Sequence, residues 1–240
     1  MFESSEETPG VEGLKLLEGK IIILIDGSPN AIYLPFLFEE NFNTVDDYYN
    51  NFYYSSISRL FRFISFAITI IFPGLYVSLL MYHQELLPVK LLLSISASRE
   101  GVPFPTYFEC FILLVTFEIL REAGTKTSGL LGTSLSIVGA LVIGQATVEA
   151  RIISTSVVIV IAATSVSSLI NPKTAGAEII FRFMFLFLGT ILGIYGLLCG
   201  ILFLIMYLTK MKSYGNFYLN NIFSFKLKNY KKTYLRVPNE

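Results

Sequence analysis

Tryptophan is absent from the 240-residue chain, histidine occurs once, at His83, and cysteine only at Cys110 and Cys199. So few soft ligands cannot assemble a zinc site, and His83-Gln84-Glu85 lacks the second helical histidine of a zinc protease. Asp26-Gly27-Ser28-Pro29 has neither the lysine nor the following helix of a phosphate-cradling loop, and no serine sits in a nucleophile elbow. No catalytic residue, cofactor or metal is expected, and the chain is not read as an enzyme. Both cysteines lie inside apolar runs, where a thiol acts as a small hydrophobe. Charge is scarce too. Asp, Glu, Lys and Arg make up 15% of the residues against 53% hydrophobic, with mean hydropathy +0.62, which excludes an ordinary soluble globular domain. The first fifteen residues lack a basic n-region and an apolar h-region, so no secretory signal is read there and the N-terminus is expected to be cytoplasmic.

The net charge of zero argues against a nucleic-acid partner but hides an asymmetry along the chain. Residues 1–58 hold ten acids against Lys15 and Lys20, whereas the segment after Leu208 carries Lys210, Lys212, Lys226, Lys228, Lys231, Lys232 and Arg236 against Glu240. That basic tail is expected on the cytoplasmic side.

What the sequence does hold is apolar, span-length surface. Phe61 to Tyr82 suffices to cross roughly 30 Å of hydrocarbon at about 1.5 Å per residue, with Arg59 and Arg62 at its cytoplasmic end and Pro73-Gly74 expected to kink or break it. His83 to Pro105 is less apolar and predicts a short amphipathic helix opened by Pro88. Pro105 then opens a helix that Gly124 should end. Leu130 to Val148 is rich in small residues, Ile152 to Ile170 is stopped by Asn171-Pro172, and Ile179 to Leu208 is long enough to demand tilt, with Arg182 snorkelling at its start. Five apolar segments and two cytoplasmic termini require one segment not to cross, and Pro105–Gly124 or Leu130–Val148 is the candidate. Upstream, Ile21–Ile25 and Ala31–Leu34 read as a hairpin around Asp26–Asn30, residues to about Gly13 as disordered or a linker, and Phe36–Tyr54 as an interfacial approach or a loop packing its aromatics. The fold expected is an all-α polytopic membrane protein of about four to five hydrophobic helices with a small N-terminal α/β remnant of a soluble domain. Its divisions are a remnant over 1–56, a helical membrane domain over 57–209 and a tail over 210–240.

Ionisable residues at membrane depth are expensive and point to partners or water-filled paths. Glu109, Glu118, Gln145 and Glu149 are the candidates for a polar path. Glu109 and Glu118 are nine residues apart and so on opposite helix faces; Glu118 can pair with Arg121 three residues on. Gly132, Ser136, Ala140 and Gly144 form a small-residue stripe, and Gly189 with Gly193 and Gly196 with Gly200 repeat the spacing, as faces for helix packing or self-assembly. Ser154, Ser165 and Ser168 form a polar stripe that can hydrate a channel or bond back to the helix's own carbonyl groups.

Several longer motifs occur in order: LEGKIIILIDGSPNA at Leu17–Ala31, HQELLP at His83–Pro88, SREGVPFP at Ser98–Pro105, FEILREAG at Phe117–Gly124 and SIVGALVIGQATVEA at Ser136–Ala150. Together they resemble the A subunit of the GerA spore germination receptor family over roughly residues 14–210. The resemblance marks His83, Glu85, Arg99, Glu100 and Arg121 as family-motif loop residues. It implies a subunit in the inner membrane of an endospore, surrounded by lipid. Its partners would be a transporter-like B subunit, to which nutrient sensing is attributed, and a lipoprotein C subunit. A subunits would assemble as a homo-oligomer into a nutrient-gated ion path. Relative to that family the chain looks N-terminally truncated, lacks a proline in Thr125–Leu131, and has Arg151 where a small residue is usual. A secondary transporter rocking about Pro73-Gly74, or a scaffold whose loops dock partner subunits, are the alternatives.

Overall fold

The structure is a computed structural model that describes residues 5–6, 16, 19–24, 31–44, 47, 51–126 and 130–219, with the side chains of 5–6, 31 and 130–138 left aside. The expected turn at Asp26–Asn30 and the basic residues from Lys226 onward lie outside the described residues. The chain is mostly helical and divides into two compact units, Met1–Ile64 with Leu202–Glu240, and Ser65–Ile201.

In the first unit β2 (Ile21–Leu24) and β3 (Ala31–Leu34) pair antiparallel with Ile21 opposite Leu34, as the apolar runs predict. A short β1 (Ser5–Glu6) adds to the other side of β3, so the expectation of disorder to about Gly13 is corrected at those two residues. The aromatic stretch that follows is packed inward. Phe36, Phe38 and Phe42 are buried, and Phe38 lies edge-on to Phe42 at 5.2 Å and to Tyr218 at 5.8 Å. Of the two readings of this stretch, the loop packing its aromatics is the one seen for these rings. Met211–Leu219 turns through β4 (Lys212–Ser213) and β5 (Asn216–Phe217) and joins them, with the Phe38 amide donating to the Tyr218 carbonyl at 3.1 Å.

The polar centre of this unit is Asp47. Arg62 donates to both its oxygens, at 2.7 and 3.0 Å, and also to the Phe42 carbonyl at 2.8 Å; Arg59 Nε lies 3.3 Å away. Arg59 and Arg62, read as markers of a membrane boundary, are thus fastened to one carboxylate. Burial pushes that carboxyl up, but the bond from Arg62, the Thr44 amide and the two guanidinium charges outweigh it and hold Asp47 below its usual 3.8.

Of the kink or break expected at Pro73, the break is not found, because long helix α1 (Phe52–Tyr82) runs as one element through it. Helix α2 (Val89–Ser98) follows Pro88, and α3 (Thr106–Lys126) follows Pro105 but continues past Gly124, which does not end it. Beyond them come α4 (Leu130–Glu149), α5 (Thr155–Ser168) and α6 (Ala175–Lys210). Helix α5 has 14 residues, about 21 Å, too short to cross alone. Ile152–Ser154, expected inside it, instead connect α4 to α5 through Arg151, whose φ is 54°. Among the described residues two helices are long and apolar enough to cross a membrane, Phe52–Tyr82 and Pro172–Lys210.

The second of these is not a rod. Gly193 has φ 62° and ψ −143°, a region open essentially to glycine alone, and the helix turns back there. A Cβ on Gly196 would stand 2.2 Å from the Leu188 carbonyl oxygen, and one on Gly200 3.2 Å from the Phe185 ring, contacts impossible along a straight helix. Gly193 is therefore the bend itself, and an added Cβ there would stand 3.1 Å from His83 Cε1 and 3.2 Å from Tyr82 Cδ2. Gly189 packs against α1 instead: its Cβ would fall 2.6 Å from the Gly74 carbonyl oxygen, and a Cβ on Gly74 2.5 Å from that of Phe185. Gly74 thus serves close approach and not a break. Around this crossing lies a core of Val77, Cys110, Leu113, Leu114, Ile153, Val157, Ile161 and Leu186.

Two outcomes are expected. Gly189→Val should destabilise the chain by at least about 2 kcal/mol in detergent unfolding, because backbone, not a flexible side chain, occupies the space. A carboxylate held below its unfolded value contributes stability that is complete above that value, 3.8 for Asp47, and is lost as pH falls through the folded value. Acid titration should accordingly loosen the first unit in the wild type, with the Asp47→Asn protein already loosened at neutral pH and flat over the same range.

Candidate functional site

Helix α3 carries two acids to different neighbours, Glu109 fully buried and Glu118 half-buried, as their nine-residue separation predicts. Glu109 is fully buried one turn into the helix. Its Oε2 accepts the Ser154 amide at 2.7 Å, at the N-cap of α5, where Ser154 makes no side-chain cap of its own. A carboxylate there satisfies an end-of-helix donor and complements the positive pole of the dipole. Oε1 lies 3.5 Å from Arg99 Nη2 and has no hydrogen-bond partner among the described residues. Glu109, without a partner in its own sequence neighbourhood, thus finds two from distant segments.

Glu118 accepts from Arg121 Nε at 2.9 Å through Oε1, and from Arg182 Nη2 at 2.9 Å through Oε2. Arg182 is 3% exposed, so it does not snorkel; it joins α6 to α3. One turn before it, Glu178 is fully buried and accepts the Thr174 hydroxyl, while its Oε2 has no hydrogen-bond partner among the described residues. Sequence reading missed Glu178 and the role of Arg182. The available signal was their four-residue spacing at the start of an apolar run, which places an acid and a base on one helix face.

The remaining candidates disperse. Gln145 and Glu149 are exposed on α4, and among the described residues nothing joins them to Glu109 or Glu118. Ala140 is half-buried, Gly144 lies 3.8 Å by its would-be Cβ from Val158, and the surroundings of Gly132 and Ser136 fall outside what is described. Glu85 is exposed, and His83 stands beside Gly193. In α5, Thr164 and Ser168 donate to the carbonyls of Val160 and Ser165 at 2.7 Å each, so these hydroxyls bond back to their own helix. Glu100 and Arg151 line a half-open cleft of about 650 Å³ together with Ser98, Gly101 and Thr155. Among the described residues no group of His, Cys, Asp and Glu could hold a metal ion.

Two of the motif segments are thus tied by charge to residues outside them, Arg99 of SREGVPFP to Glu109 and Glu118 of FEILREAG to Arg182. The same order of segments is matched by the family model for the Bacillus/Clostridium GerA spore germination protein over residues 3–240. The chain belongs to the GerA family. It is 40% identical over 234 residues to spore germination protein KA of Bacillus subtilis (strain 168), covering 97% of this chain and 43% of that protein. Spore germination protein B1 of the same strain is 39% identical over 236 residues (98% and 49%), and spore germination protein GerLA of Bacillus cereus 38% over 226 (93% and 46%). The chain thus spans less than half the length of these GerA relatives. No solved structure matches it.

Within this GerA chain the Glu118–Arg182 pair is the measurable tie between α3 and α6. Arg182→Ala strands Glu118 on its local Arg121 alone and should cost about 3 kcal/mol. The double variant Glu118→Leu/Arg182→Met should recover most of that loss, a coupling that a double-mutant unfolding cycle reads directly.

Proposed function

We propose that this chain is the membrane-embedded part of an A-type subunit of a nutrient germinant receptor in the spore inner membrane. In this reading it assembles with copies of itself, and with B and C subunits, into a gated ion-conducting path whose opening starts germination. It performs no covalent chemistry, and both termini lie on the cytoplasmic side. Membership of a spore germination family and the long apolar helix Phe52–Tyr82 support the setting.

The observation that carries the ion path is Glu109. It is fully buried, held by one oxygen at the α5 N-terminus, and has Arg99 at ion-pair distance from an oxygen with no hydrogen-bond partner among the described residues. A buried carboxylate with spare acceptor capacity suits transient contact with a cation or water. Gln145 and Glu149, exposed on this chain, are placed in this reading against a neighbouring copy, where small residues of α4 permit close approach. A secondary transporter would use a pair of broken helices in matching halves; the break here lies at Gly193, and the described residues show no counterpart.

Spores carrying Glu109→Gln, which keeps an acceptor for Ser154, test the reading. Nutrient-triggered potassium release should slow by tenfold or more at unchanged protein level. Release at the wild-type rate would remove Glu109 from the path.

A further inference from the structure

The crook of α6 is built differently from the rest of the helical unit. Where a helix stops, its last carbonyl groups lose their amide donors. At Gly193 the donor is supplied from another element: the Tyr82 hydroxyl donates to the Thr190 carbonyl at 2.7 Å, with that of Ile191 3.3 Å away. His83 follows. Its ring fills the corner beside Gly193, where an added Cβ would stand 3.1 Å from His83 Cε1 and 3.2 Å from Tyr82 Cδ2, and it meets Tyr195 edge-on at 6.3 Å. His83 Nδ1 is nevertheless buried with no hydrogen-bond partner among the described residues.

We propose that α6 is a flap of two arms that pivots at Gly193 and is held shut by Tyr82. Three features make the crook a joint. Glycine alone takes this backbone conformation, so no side chain fixes the bend. The arms meet through Gly196 and Gly200 against Leu188 and Phe185, a smooth contact with no side chain of those glycines interlocked. One hydroxyl from α1 fastens the carbonyl end of the first arm, while the neighbouring imidazole carries an unmet bonding need in the closed position. A buried polar atom without a partner destabilises the arrangement that strands it. Tyr82 therefore favours the closed flap, and His83 favours release. The two residues adjoin the exposed turn Gln84–Leu86. The flap does not rest on ion conduction and stands or falls separately from it.

Phe187 and Leu198 are exposed and lie one on each arm, within two residues of the contact between Leu188 and Gly196. The full chain in lipid nanodiscs, with Cys110→Ser and Cys199→Ser, is spin-labelled at Phe187→Cys and Leu198→Cys, and dipolar broadening reports the separation of the arms. Tyr82→Phe should raise the ratio of open to closed arms by about fivefold, the factor that one hydrogen bond typically carries. His83→Phe, which refills the corner without the unmet nitrogen, should lower it. Tyr76→Phe, which removes a hydroxyl bonded to Ser156 at 2.8 Å on the same helix, should leave it unchanged. Unchanged broadening in Tyr82→Phe, or opening of the arms by His83→Phe or Tyr76→Phe as well, overturns the proposal, because the crook would then be an ordinary packed corner.

Discussion

Everything in the helical unit depends on how closely two backbones can come. In lipid the hydrophobic effect does not drive apolar helices together, because acyl chains are as apolar as leucine. What remains is dispersion and polar contact, both steep in distance. Gly74 and Gly189 set that distance. Gly189 leaves room for the carbonyl group of Gly74, and Gly74 for that of Phe185, at separations that any Cβ would forbid, and the core from Val77 to Leu186 closes around the crossing they allow. Gly196 and Gly200 repeat the device within one helix, letting α6 lie against itself.

Close approach alone does not fix register, since glycine faces can slide. The buried charges supply that second constraint. Glu109 ties the start of α3 to the start of α5, and Glu118 ties its far part to α6 through Arg182. Each tie joins segments that sequence leaves dozens of residues apart, and each would strand a charge in an apolar setting if the helices slipped by a turn. In the other unit Asp47 does the same for the loop before α1, gathering two arginines and, through Arg62, the Phe42 carbonyl.

Much of this was legible from residue types and spacing. Apolar runs placed α1, α4 and α6, Pro88 and Pro105 marked helix starts, the nine-residue interval separated Glu109 from Glu118, and the β2–β3 hairpin followed from its β-branched runs. The failures share a cause. Proline is a strong local signal, so Pro73 drew the expectation of a kink or break; yet the helix runs unbroken through it, and the actual break falls at a glycine that reads like any other in a glycine-rich run. Arg182 looked like a headgroup anchor because its partner lies 64 residues earlier. Gln145 and Glu149 show the converse limit: a polar pair four apart marks a helix face but not what that face meets.

The turn at Gly193 alters the arithmetic of the membrane. As one straight rod the thirty apolar residues from Ile179 to Leu208 would measure about 45 Å, half as long again as a hydrocarbon core. Interrupted at Gly193 they are two arms of about fifteen residues each, so the tilt demanded of a single rod is no longer needed.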